Sequence, residues 1–171
     1  MNHSLHHRLR RAVRHWRSSM ADARRAFPPE TLEAITEAIR EGEQTHRGEV
    51  RLIVERALPS DAIWACIGNR QRALTLFADH GIWDTEENSG VLIYVNLAEH
   101  MVDIVADRGI AHKIDNADWQ AICDTMTDHF AQGRFHDGTL SAIAQVNLLL
   151  QTHFPAEGDR PNQLPDEPIL L

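Results

Sequence analysis

Apolar positions recur at helical spacing from the start of the chain. Leu5, Leu9, Val13, Trp16 and Met20 step by three or four residues, with Arg8, Arg10, Arg14 and Arg17 around them, which predicts a basic amphipathic helix. Pro28-Pro29 stops it. From Glu30 to about Gln44, Leu32, Ile35 and Ile39 share one face opposite Glu33, Glu37 and Glu41, a second helix. Gly48 releases the chain into Val50–Arg56, whose β-branched content predicts a strand. Pro59-Ser60-Asp61 caps a helical region over about 61–80, with a candidate break at Gly68-Asn69. Val91–Leu97 is almost continuously apolar, the pattern of a central strand buried on both faces. Residues 98–100 are short enough for a hairpin, and Val102, Ile104 and Ala106 alternate with Asp103, Val105 and Asp107 on the returning strand.

The second half is helical. Asp115-Asn116-Ala117-Asp118 has the form of a capping box, and Trp119, Ile122, Cys123, Met126 and Phe130 then fall on one face. Gly133 ends that helix, and a last one is expected over about 137–153. Pro155, Pro161, Pro165 and Pro168 make the remainder an extended tail. The order is α-α-β-α-β-β-α-α, without internal repeats. A helix between the first two strands predicts a right-handed parallel crossover, and the hairpin adds an antiparallel strand. The expected fold is α/β, a three-layer α/β/α sandwich with a small mixed sheet. Its parts are a basic helix at 1–27, an α/β domain at 28–154 and a Pro-rich tail at 155–171.

Composition narrows the class. A chain of 171 residues suits one domain with a sizeable core. Cys66 and Cys123 form no CxxC or zinc spacing and are read as reduced, helix-buried thiols. No apolar run approaches the ~18 residues of a membrane span, and the first residues lack a signal peptide's apolar block. The expectation is a soluble, cytoplasmic protein without a transmembrane segment. Residues 1–29 carry seven arginines and one acid, or +6, which leaves the rest of the chain at −14. An acidic body repels phosphates, so the core is not expected to bind nucleic acid. The basic helix has two options: docking on that acidic body, which would bury Trp16, or lying on anionic membrane. Docking is the expectation, because the body is always present at high effective concentration.

Familiar catalytic signatures are missing: no GxG, GxxxxGK[ST], GxSxG or HExxH occurs. The 11 histidines are scattered after a group near the start. Topology supplies a better lead. Paired positions in a hairpin keep a nearly constant sum, which sets Gly90 and Val91 beside Asp107 and Arg108. The parallel first strand begins at the same end with His46-Arg47-Gly48-Glu49. Asp84, Glu86, Glu87, Asn88, Asp107, Asp115 and Asp118 therefore converge from three loops, an oxygen-rich set of the kind Ca2+ or Mg2+ takes. The competing reading leaves Asp115 and Asp118 as helix caps, Asp107 paired with an arginine, and Glu86 and Glu87 solvated. Arg47 and Arg108 are candidates for an anion or phosphate. No catalytic nucleophile is evident.

Three segments carry a family resemblance. Asn88–Val95, Val102–Ile110 and Phe130–Gly138 resemble, in order and spacing over about residues 30–154, the TPM domain's N-G-V-L strand, glycine-containing turn and F-x-x-G-x-[YF]-x-x-G. The Asp-Arg-Gly-Ile turn, His46–Glu49 and the Asn162–Leu171 tail resemble a short, soluble proteobacterial branch lacking the usual membrane helix. Where membrane-anchored relatives carry a Gly-Tyr-Gly-type turn, this chain has Asp107-Arg108-Gly109. The resemblance implies an α/β/α sandwich, divalent-cation binding and at most weak phosphatase activity. The alternative it suggests is a non-catalytic interaction module acting with a membrane-anchored TPM relative in envelope maintenance, its tail lying in a groove or extending a sheet.

Overall fold

A computed structural model describes residues 2–158 and 161–171. The chain runs α1 (Asn2–Arg17), α2 (Met20–Ala26), α3 (Pro29–Glu43), β1 (Glu49–Glu55), α4 (Ser60–Trp64), α5 (Asn69–Asp79), β2 (Gly90–Asn96) and β3 (Met101–Ala106). It continues through α6 (Arg108–Ala111), α7 (Asn116–Ala131), α8 (Phe135–His153) and β4 (Ile169–Leu170).

The four strands lie in the order β3-β2-β1-β4. β1 is parallel to β2, with Glu49 opposite Gly90 and Ile53 opposite Tyr94. β3 returns antiparallel, with Val91 opposite Ala106. Because side chains alternate across a strand, the two faces of the sheet feed two cores. Val50, Leu52, Val54, Val91, Ile93 and Val95 pack with Ile35 and Ile39 of α3, Met126 and Phe130 of α7 and Ile143 and Val146 of α8. Ile53, Leu92, Tyr94 and Val105 pack instead with Ala73, Leu76 and Phe77 of α5. Helices thus cover both faces of a mixed sheet, as the pattern predicts, and β2 is buried along its whole length. Phe27, Phe130 and Phe135 close one end of the larger core, with ring centroids 4.9–6.2 Å apart.

Several local expectations are corrected. The basic helix is two helices, not one. Ser19 caps α2, taking the amide of Asp22 at 3.2 Å while its own amide donates to the Asp22 carboxylate at 3.0 Å, and this reciprocal box ends α1 at Arg17. The 61–80 region does break at Gly68-Asn69, as expected, with Cys66 in the left-handed region at φ 57°. Cys66 is exposed in that turn, whereas Cys123 is buried in α7 and burial pushes its thiol up to about 12. Asp115 stands at the N-cap of α7 but its side chain makes no capping bond. The tail is extended but not unpartnered: Ile169 and Leu170 pair in parallel with Ile53 and Val54 and add β4 to the sheet.

α1 contacts the body through Arg11 and His15, not through the apolar face expected to bury Trp16. Arg11 pairs with Glu99, and its Nη2 donates to the carbonyl of Ile67 at 2.6 Å. His15, 2% exposed, donates to Glu99 at 3.0 Å and accepts the amide of Leu58 at 3.1 Å. Burial raises the Glu99 carboxyl, but the bonds from Arg11 and His15 outweigh it and hold the group below its ordinary range. Trp16 is therefore not buried by docking; it is 86% exposed. The body offers this helix a carboxylate, and its polar edge takes it.

Candidate functional site at the strand ends

β1 and β2 start, and β3 finishes, at one end of the sheet. The loops there are stitched together by backbone bonds: Glu49 amide to Ser89 carbonyl at 3.0 Å, Asp107 amide to Gly90 carbonyl at 2.8 Å and Gly109 amide to Asn88 carbonyl at 3.0 Å. The predicted convergence of residues 46–49, 84–90 and 107–109 is present. Glycine makes the approach possible. A Cβ on Gly90 would stand 1.9 Å from the carbonyl oxygen of Ile82, and one on Gly109 would stand 2.3 Å from that of Glu87. Neither backbone can step aside as a flexible side chain would, so both loops depend on the missing methyl.

The junction gathers Arg47, Glu87, Asn88, Asp107 and Arg108. Arg47 pairs with Glu87 at 3.1 Å, and Arg108 reaches the amide oxygen of Asn88 at 3.5 Å. Asp107 caps α6, its Oδ1 accepting the amide of Arg108 at 2.6 Å. Its other oxygen, Oδ2, is buried without a hydrogen-bond partner among the described residues, and so are Arg47 Nε and Ser89 Oγ. Buried polar atoms are normally matched. Three of the six unmatched side-chain atoms among the described residues lie in the three segments that meet here.

Other members of the expected set are not drawn in. Asp84, Glu86, Asp115 and Asp118 are exposed. The Glu86 amide is tied to the side chain of Gln163 at 2.8 Å. The short helix α6 intervenes between Asp107 and α7, so Asp115 and Asp118 open α7 instead of completing a cage. Among the described residues, no three His, Cys, Asp or Glu side chains group as a ready metal-ligand set. What remains of the seven-member oxygen set is smaller, because Arg47 pairs with Glu87, α6 separates Asp115 and Asp118 from Asp107, and Asp84 and Glu86 stay exposed.

Beside Arg47 lies a cleft of about 290 Å³, lined by Arg40, Glu43, His46 and Glu49 and by Asn162 and Gln163 of the tail. Glu43 accepts the amide of Val50 at 2.8 Å. Burial above all, and then the neighbouring carboxylates of Glu49 and Asp166, push its carboxyl up to about 8. Glu49 is buried and accepts the amides of Gln163 and Leu164 at 3.2 and 3.1 Å. His46, also buried, bonds to Asn147 at 3.1 Å, and burial lowers its pKa. The sequence reading missed Glu43, although it follows Ile35 and Ile39 at i+4 spacing on the apolar face of its helix.

The far end of the strands is different. Glu55, at the end of β1, takes Arg72 through three contacts of 2.6–3.1 Å and the hydroxyl of Tyr94 at 2.6 Å. Burial, then the bond to Glu55, raises the Tyr94 pKa.

A mixed sheet between helical layers, with a glycine-compressed junction at one end, defines an α/β sandwich. The family model for the TPM domain matches residues 20–148, and the chain belongs to the TPM-domain family. It is similar to the NMR structure of BA42 protein from the psychrophilic bacterium Bizionia argentinensis. The two are 28% identical, with a TM-score of 0.73, over 82% of this chain and 92% of that one. No curated protein matches it. Among the described residues, no helix is long and apolar enough to cross a membrane.

Proposed function

We propose that the strand-end junction binds a divalent cation, Ca2+ or Mg2+, together with an anionic, phosphate-like group. The observation that carries this reading is the buried, unmatched Oδ2 of Asp107. A hard cation takes oxygen donors, and Mg2+ in particular is commonly held by one or two carboxylates, retained waters and a phosphate, with no all-protein cage. Asp107 supplies one such carboxylate and Ser89 a hydroxyl, while Asn88 contributes an amide oxygen. Arg47 and Arg108 in the same loops suit the anion. When bound, the cation would polarise a phosphoryl oxygen. No side chain here is assigned as a nucleophile, and the reading extends to weak hydrolysis at most.

The reading as an interaction module draws no support from the tail, which extends this chain's own sheet. Calorimetric titration of the full chain with CaCl2 and MgCl2, with and without inorganic phosphate, tests the cation reading. Saturable binding is expected, tighter with phosphate present and weakened about tenfold or more by Asp107→Asn, the scale of losing a charged ligand. Absence of binding below millimolar cation, or an Asp107→Asn variant that binds unchanged, overturns it. Turnover of a simple aryl phosphate under the same conditions decides whether hydrolysis accompanies binding.

A further inference from the structure

The N-terminal helix is held by its polar edge and leaves its apolar stripe in water. Arg11 and His15 grip Glu99, and Ala12 packs beside Leu58, Ile63 and Ile67. On the outer side Leu9 is 45% exposed, Val13 52% and Trp16 86%. Trp64 of α4, itself half exposed, lines one groove with Trp16, Arg56 and Ile63. Arg10 and Arg14 are exposed, and each follows a stripe residue by one position, which sets both on the same flank of the helix.

We propose that this face of α1, with Trp64 beside it, docks the protein reversibly on an anionic lipid surface. An amphipathic helix with Leu and Trp on one face and arginines along the edge is built to lie in a bilayer interface. Indole rings prefer the headgroup level, and two of them line one groove here. Charge selects the occupant. Residues 1–29 carry +6 while the remainder carries −14, so the arm alone is attracted to anionic lipid, by arginines other than Arg11, which is committed to Glu99. A second copy is the poorer fit: two-fold pairing would set one arginine-flanked stripe against an identical one, like charge against like. The inference is independent of the cation reading, since the helix and the strand-end junction share no residue.

Flotation of the full chain at physiological salt tests it. The vesicles are phosphatidylcholine alone, or phosphatidylcholine and phosphatidylserine in equal parts. Most of the protein should rise with the phosphatidylserine vesicles and stay at the bottom with phosphatidylcholine. The double variant Val13→Ser/Trp16→Ser should lower recovery about tenfold with an unchanged melting curve, because both side chains are exposed. Arg10→Gln/Arg14→Gln should lower it without touching the stripe. The inference is wrong if the protein stays at the bottom in both cases, or if the double variant floats as well as the parent. It is also wrong if light scattering finds a dimer that only the Val13→Ser/Trp16→Ser change dissociates.

Discussion

Where β1 and β2 end, Glu55 is 2% exposed and takes three contacts from Arg72 and one from Tyr94. Where the same strands begin, Arg47, Ser89 and Asp107 each keep a buried polar atom unmatched. The residue types are alike, but their state of completion is not. A matched buried network fixes geometry, and removing one member leaves its partner uncompensated. An unmatched atom costs about 1–3 kcal/mol in desolvation, a cost that a ligand's own polar atoms relieve. Burial and charge alone would not separate the two ends. The hydrogen-bond tally does: among the described residues three buried side-chain atoms are unmatched at the start of the strands, against one, Asn96 Nδ2, at their end.

The contrast can be broken most directly at Arg72. Arg72→Met leaves Glu55 buried with Tyr94 as its remaining partner, and should cost about 3–5 kcal/mol of stability in urea denaturation. A loss below about 1 kcal/mol, the value of a surface pair, would erase the distinction. Glu43, at the other end, comes next. Its folded pKa of about 8 stands above the ordinary 4.5, so the folded state holds the proton more tightly. The resulting stabilisation is complete below pH 4.5 and disappears as pH rises to about 8. Between those limits the parent protein should lose up to about 5 kcal/mol from this group. Glu43→Gln, which keeps an acceptor for the Val50 amide, should lack that slope in a series of melts across pH.

Tyr94→Phe removes one bond to a buried carboxylate and leaves Arg72 in place. A loss of about 1.5–3 kcal/mol is expected, read from the denaturation midpoint. The smallest effect belongs to Asp107→Asn. Asparagine caps helices as well as aspartate does, so thermal stability should change by less than about 1 kcal/mol. A drop as large as that of Arg72→Met would make the junction a structural network like its counterpart.

The architecture was legible because two signals are local and strong. The apolar run of β2 and the alternation of β3 fix a hairpin, and the hairpin arithmetic sets Asp107 beside Gly90, where the backbone bond is found. The meeting of the junction's loops was legible to the same extent, since chain order alone brings them together; which of their side chains join it was not. Completion of its side chains was not, because pairing of Arg47 with Glu87 depends on rotamers and on loop positions within an ångström. The break at Ser19 was readable in principle: Ser19 and Asp22 have capping-box spacing, but the longer amphipathic pattern masked it. β4 carries no comparable signal, because two residues have no periodicity and prolines report extension without a partner. The inverted docking of α1 was unreadable for another reason. Hydrophobic spacing assumes that the apolar side faces the body, and here the deciding group is Glu99, remote in sequence.

Tyr94 is the only tyrosine in the chain, and its hydroxyl is sealed against Glu55 with an upward-shifted pKa. The phenolate absorption band is therefore silent for as long as the sheet is intact. In strongly alkaline solution its appearance times the opening of β2 itself, an intrinsic optical clock that needs no label and reads one residue at the centre of the fold.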